Sequence, residues 1–239
     1  MKLHTRPNRR RALTLIEVVV VILVVVLVGA LVVSFQRAKV KAARISCVSN
    51  NKMIGFAFRI WANDNDDKFP YWTPMINHYP FPSIPVTNLA YRNESNAWLH
   101  FYVMSNELGS AKTLICPADR ERVNNRASDF GSNSASDLGF QKNRAVSYFI
   151  GLEADETRPQ VFLAGDRNLE TNAGNVQGSL LLYSANQLPV WTPAIHGGVG
   201  NVCLSDGSVQ QMDIARLQAQ ALQSVVGSGQ ETNRLLMPW

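Results

Sequence analysis

Cysteine is scarce in this chain. There are three, Cys47, Cys116 and Cys203, an odd number with no C-x-x-C pair among them, so zinc-ribbon and thioredoxin-type chemistry find no local support. A single disulfide is compatible with an oxidising compartment and buried free thiols are the competing reading; spacing does not choose a pair. Acid is absent from the first 12 residues, which hold Lys2, Arg6, Arg9, Arg10 and Arg11. The chain has 23 basic and 18 acidic residues; without those five it has 18 of each. The excess base therefore belongs to the N-terminus, and no basic patch remains that would suit nucleic acid. Charge is also absent from residues 18–33, and proline from residues 35–69.

What fills the uncharged stretch is almost entirely Val, Leu and Ile. Residues 13–33 number 21, and at about 1.5 Å per residue a helix of that length is about 31 Å long, against about 30 Å of membrane hydrocarbon. In lipid a lone segment satisfies its backbone only as a helix. Glu17 stands just inside this run, where an unpaired carboxylate costs a few kcal/mol or more, so a partner for it is expected. A cleaved secretory signal would have a shorter apolar core of about 7–15 residues. A plain single-pass anchor would account for the apolar run but not for the placement of Glu17.

The stretch Arg9-Arg10-Arg11-Ala12-Leu13-Thr14-Leu15-Ile16-Glu17 resembles the type III signal of type IV pilins and type II secretion pseudopilins, in which Gly is followed by Phe-Thr-Leu-Ile-Glu. Ala12 replaces the Gly and Leu13 the Phe. The resemblance implies cleavage after Ala12 by prepilin peptidase and methylation of the new amino group on Leu13. It also implies that the Glu17 carboxylate associates with the N-terminal ammonium of a neighbouring subunit during assembly.

Beyond the apolar run the helical pattern continues. Ala38, Ala42, Ile45, Val48, Met53, Phe56 and Ile60 follow spacings mostly of three and four. The polar Ser49–Lys52 patch and Gly55 predict a kink, and the helix is expected to end near Asn63. Arg37, Lys39, Lys41 and Arg44 read as a solvated face, with lipid head groups or neighbouring subunits as the alternative. Asn63 to Lys68 fails as a calcium loop, because Lys68 and Phe69 fall where an oxygen ligand and Gly are needed. Residues 69–85 carry five prolines among aromatics and read as extended, turn-rich chain.

A short helix is expected over 96–108, a brief strand over 114–116 leading into Pro117-Ala118-Asp119, and a surface loop or mobile insert over 120–144. Strands are predicted at 145–152, 160–164 and 179–183. Asp206-Gly207 between 201–205 and 208–212 is a hairpin signal, followed by a helix over 213–226 and a loose tail.

His196 is followed by Asp206-Gly207 with nine residues between, which resembles the H-x9-DG tail of a group of bacterial pseudopilin-like proteins. The 47–61 helix region, Asp66-Asp67-Lys68-Phe69-Pro70 and Cys116-Pro117-Ala118-Asp119 match their other hallmarks. His196 and Asp206 have no recognisable nucleophile motif beside them. As metal ligands they would need further partners, with Asp166 or Asp119 as candidates. The structural alternative has Asp206 satisfying turn backbone while His196 bonds a neighbouring loop.

The expected fold is therefore α+β and pilin-like, a long N-terminal helix packed on an antiparallel sheet. Its parts are a basic leader (1–12), a transmembrane half-helix (13–34), an amphipathic half-helix (35–63) and a globular head (64–239). The expected function is structural: a pseudopilus or pilus-like filament subunit, not an enzyme. Expected partners are prepilin peptidase, other pilin or pseudopilin subunits, an inner-membrane assembly platform and the membrane itself. The expected location is the inner membrane, single-pass, with the head in the periplasm or outside the cell. No cofactor is expected; calcium is the ion the family would bring. The competing class is an anchored envelope binding protein that never polymerises.

Overall fold

The computed structural model describes residues 14–73, 96–171, 176–177 and 179–239. Ala12 and Leu13 of the cleavage signal lie outside these residues, as do Tyr79 and Phe81 of the proline-rich stretch. The chain divides into two compact units, Met1–Ala42 and Ala43–Trp239.

Helix α1 runs over Leu15–Asp64. It starts at a reciprocal cap. The Thr14 backbone N–H and hydroxyl donate to the Glu17 carboxylate at 2.8 and 2.9 Å, and the Glu17 N–H reaches the Thr14 hydroxyl at 3.4 Å, a capping box that satisfies otherwise orphaned helix donors. The apolar stretch of α1 is long and apolar enough to cross a membrane, and none of that window is buried by the chain itself. Helix continues unbroken through the polar Ser49–Gly55 stretch where the kink is expected. Tertiary packing overrides the weak propensity there, because Asn51, Ile54 and Gly55 lie on the buried face. A Cβ on Gly55 would stand 2.4 Å from Cys203 Sγ, so glycine is what lets the helix approach the sheet this closely. The helix ends at Asp64, and the exposed Asp66 and Asp67 adopt positive φ at its exit.

After a 3-10 turn over Pro70–Trp72, α2 spans Ala97–Val103 and α3 Ser105–Leu108. The strand expected at 114–116 is replaced by a 3-10 turn over Ala111–Leu114 and a tight turn in which the Asp119 N–H donates to the Cys116 carbonyl at 3.0 Å. Pro117, which has no N–H to offer a ladder, favours the turn. The 120–144 insert closes on itself, with Asp137 accepting from the N–H groups of Asn133 and Ser134 and α4 at Leu138–Gln141.

The remaining chain forms β1 (Tyr148–Gly151), β2 (Phe162–Asp166), β3 (Leu169–Thr171), β4 (Val176–Gln177), β5 (Leu180–Ser184), β6 (Pro189–Trp191), β7 (Gly200–Leu204), β8 (Val209–Met212), α5 (Ile214–Ser228) and β9 (Thr232–Leu236). Seven strands make one antiparallel sheet in the order β4-β5-β9-β1-β2-β7-β8, and β3 pairs with β6 separately. The expected loose tail is therefore wrong: β9 sits inside the sheet, paired on one side with β1 and on the other with β5.

The sheet separates two cores, as alternating side chains require. On one side Cys47, Ile54, Phe58 and Trp61 of α1 pack with Phe69, Tyr71, Phe101, Tyr148, Ile150 and Leu163. On the other, Leu217, Ala221 and Val225 of α5 cover Phe149, Phe162, Tyr183, Val202 and Leu235. Helix α5 is capped by Asp213, which accepts the Arg216 N–H at 2.8 Å, and closes at Gly229 with φ +66.

Candidate metal centre

Four side chains from four separate segments converge beneath α1. Cys47 comes from the helix, Cys116 from the turn after the 3-10 segment, Asp166 from the end of β2, and His196 from the loop before β7. Their ligand atoms all lie within 4.8 Å of one another and all four residues are buried. Each is held in place by its own segment. Asn50 Nδ2 donates to the Ile115 carbonyl at 3.0 Å, tying the turn to α1. Tyr148 pairs with Asp166 across β1 and β2, which puts its hydroxyl 3.5 Å from Cys47 Sγ. His196 has φ +56 and is followed by Gly197 and Gly198 at +70 and +86. A left-handed conformation costs a non-glycine residue about 1–2 kcal/mol, and the Arg44 guanidinium holds it by donating to the His196 carbonyl at 2.9 Å.

Asp166 is fully buried. It accepts from the Cys47 thiol at 2.9 Å, the Asn201 N–H at 2.8 Å, Asn201 Nδ2 at 2.9 Å and Asn51 Nδ2 at 3.4 Å. The cationic form of His196, its Nε2 3.6 Å from Asp166 Oδ2, is the charge partner that the described residues give it. The same Nε2 lies 3.3 Å from Cys116 Sγ. In a Cys-His-Asp relay the two neighbours occupy different ring nitrogens. Here both sit at one, which is the arrangement of converging ligands and not of a proton relay.

The electrostatics fit a cluster sharing few charges. Burial pushes the Cys47 thiol well above its ordinary value. Interaction with the neighbouring Cys47 thiol, and then the hydrogen bond with His196, bring Cys116 down to about 7 against its own burial. Burial raises Asp166, despite the Cys47 hydrogen bond and the His196 charge. At His196 burial disfavours the imidazolium, but the hydrogen bond to Cys116 and the Asp166 charge more than offset it and raise its pKa.

Of the residues expected to form a site, His196 and Asp166 are brought together and Asp206 and Asp119 are not. Asp206 accepts the Ser208 N–H at 2.8 Å and Gly207 has φ +82, so this end of H-x9-DG is a hairpin turn. Asp119 is bonded by Arg167 at 2.8 and 2.9 Å and by Ser147 at 2.8 Å. Two thiols and an imidazole do not suit calcium, which takes oxygen ligands. Cys47 and Cys116 join the cluster although no cysteine pair close in sequence announces them. The signal was there: Cys47, Cys116 and His196 each open a separate hallmark stretch. All three cysteines are free and buried; Cys203 lies apart, its thiol against the Leu204 carbonyl at 3.5 Å and pushed up by burial to about 12.

No protein-family model matches the chain, and no curated protein or solved structure matches it.

Proposed function

We propose that this chain is a structural subunit of a type II secretion pseudopilus or a related pilus-like filament. It is cut after Ala12 by prepilin peptidase, methylated on Leu13 and assembled through α1. One observation carries the reading. A single helix, Leu15–Asp64, begins as an apolar rod that the chain leaves unburied, carries Glu17 as its one charge before Arg37, and ends as a core element of an antiparallel head. Apolar surface of that extent needs lipid or other copies of the same rod. In this reading the chain crosses the inner membrane once with the head outside the cytoplasm, and subunits pass from membrane to filament by exchanging lipid for neighbouring helices.

The capping box favours a second reading, an anchored envelope protein that does not polymerise, since Thr14 already gives Glu17 a partner within its own chain. The two readings part on the charge. Glutamine can fill the same capping position, so Glu17→Gln keeps the helix start and removes the ion. The filament reading expects Glu17→Gln to leave the head folded and abolish incorporation into cross-linkable oligomers; normal incorporation would eliminate the ion-pair role. Mass analysis of the N-terminus, from membranes with and without the peptidase, checks the processing. A peptidase-dependent start at N-methylated Leu13 supports the filament, and an intact leader in both supports the anchor.

A further inference from the structure

We propose that Cys47, Cys116, Asp166 and His196 bind one Zn2+ ion that ties α1 to the sheet of the head. This goes beyond the filament reading and does not depend on it.

The four donors lie close enough together to ligate a single ion. Zinc bonds of about 2.0–2.3 Å to nitrogen, oxygen and sulfur place ligand atoms about 3.3–3.8 Å apart. The distances here are 2.9 Å between Cys47 Sγ and Asp166 Oδ1, 3.3 Å between Cys116 Sγ and His196 Nε2, and 3.6 Å between His196 Nε2 and Asp166 Oδ2. Two fall in that range and the first, a hydrogen bond to the other carboxylate oxygen, is shorter; all the ligand atoms lie within 4.8 Å of one another. Two sulfurs with one nitrogen and one oxygen select a borderline-soft tetrahedral ion over calcium or magnesium.

Charge points the same way. With both thiols ionised, Asp166 a carboxylate and His196 a neutral imidazole bound through Nε2, the ligands carry three negative charges and the ion leaves one. The Arg44 guanidinium, bonded to the His196 carbonyl, supplies the compensating positive charge. Binding is balanced by loss to solvent of the Cys47 and Cys116 thiol protons and, from the imidazolium form of His196, of its Nε2 proton. Around the ligands stands an outer layer of the kind that orients metal sites. Asn201 holds Asp166 through its backbone and its amide, Asn51 adds a third amide contact, and the Tyr148 hydroxyl lies at Cys47 Sγ. Asn51 and Asn201 are fully buried and their amide oxygens have no hydrogen-bond partner among the described residues, while their amide N–H groups donate to Asp166. The ligands come from distant parts of the chain, with 119 positions between Cys47 and Asp166 and 80 between Cys116 and His196. An ion there would close long loops at once, which is where such a clip stabilises most.

The test uses the full-length chain in detergent micelles, reduced and stripped with chelator, then given Zn2+ or Co2+ alone. The proposal expects one Zn2+ per chain retained through desalting, a higher melting temperature with the ion, and thiolate-to-metal charge transfer with tetrahedral d–d bands for Co2+. Cys116→Ser and His196→Ala should each weaken binding at least tenfold, while Cys203→Ser, buried but outside the cluster, should bind as the parent does. Should the ligand variants not fold, the parent's Co2+ spectrum decides alone. Absence of sulfur charge transfer, substoichiometric zinc in the reduced protein, or a native mass showing a Cys47–Cys116 disulfide would each overturn the assignment.

Discussion

The two halves of α1 obey different physics. From Leu15 to Val33 the large side chains are about half or more exposed, from 44% at Val18 to 83% at Leu15, whereas Ile54, Ala57, Phe58 and Ala62 are fully buried. One half is Val-rich and would be a poor helix in water; the other is helical because the head covers one of its faces. The lesson is that one end of α1 is held by its own sheet, while the apolar end has no such cover among the described residues. Substitutions can separate the two.

The largest contrast is expected at Phe58, whose ring meets those of Phe69, Tyr71 and Phe101 at 5.5–6.4 Å between centroids. Phe58→Ala should lower head stability by about 3–5 kcal/mol, read by denaturant unfolding in detergent. Val24→Ala, in the unburied half, should leave that transition unmoved. Equal effects would erase the distinction.

Next comes the pH dependence, which the comparison places in the head. Burial works against the Asp119 carboxylate, but the Arg167 hydrogen bonds and charge hold it below its ordinary value. Its stabilisation is therefore complete above the unfolded-state pKa of about 3.9 and is lost as pH falls through the lower folded value. Asp119→Asn should cost about 2 kcal/mol at neutral pH, since Glu121 still pairs with Arg167. The gap between variant and parent should close as the medium is acidified below about pH 4. A gap that persists unchanged in acid would show that the ion pair is not its source.

The smallest effect is the sharpest comparison, because one substitution is made at two places in one helix. A Cβ on Gly29 meets nothing within 4 Å, whereas on Gly55 it meets Cys203 Sγ at 2.4 Å. Gly55→Ala should destabilise the head by about 1–3 kcal/mol through overpacking. Gly29→Ala should be neutral or should favour helix by up to about 1 kcal/mol. Melting temperatures of the two variants check the sign; a stabilised Gly55→Ala would mean that the helix and hairpin are not this close.

Much of the fold was legible because it is local. The helix exit was expected near Asn63 and falls at Asp64; the Asp206-Gly207 hairpin and α5 lie within two residues of where pattern and turn chemistry put them. Errors came where neighbours decide. Thr232–Leu236 is too polar and too short to announce a strand, and it becomes one because β1 and β5 leave a gap between them. The polar Ser49–Lys52 patch sits within unbroken helix, and its residues have partners that sequence does not display, such as Asn50 with Ile115 and Asn51 with Asp166.

The candidate site divides the same way. H-x9-DG is one motif in the sequence and two unrelated devices in the fold: Asp206 and Gly207 close a turn, and His196 faces two cysteines and a carboxylate. What the sequence alone determined is whatever acts over a few residues: the apolar length, the placed Glu17, the turns and the helix ends. Only the tertiary structure decided which of three cysteines meet and which aspartates stay apart. Those distances depend on how strands far apart in the chain register against one another. Register is set by packing of the whole sheet and leaves no mark at any single residue.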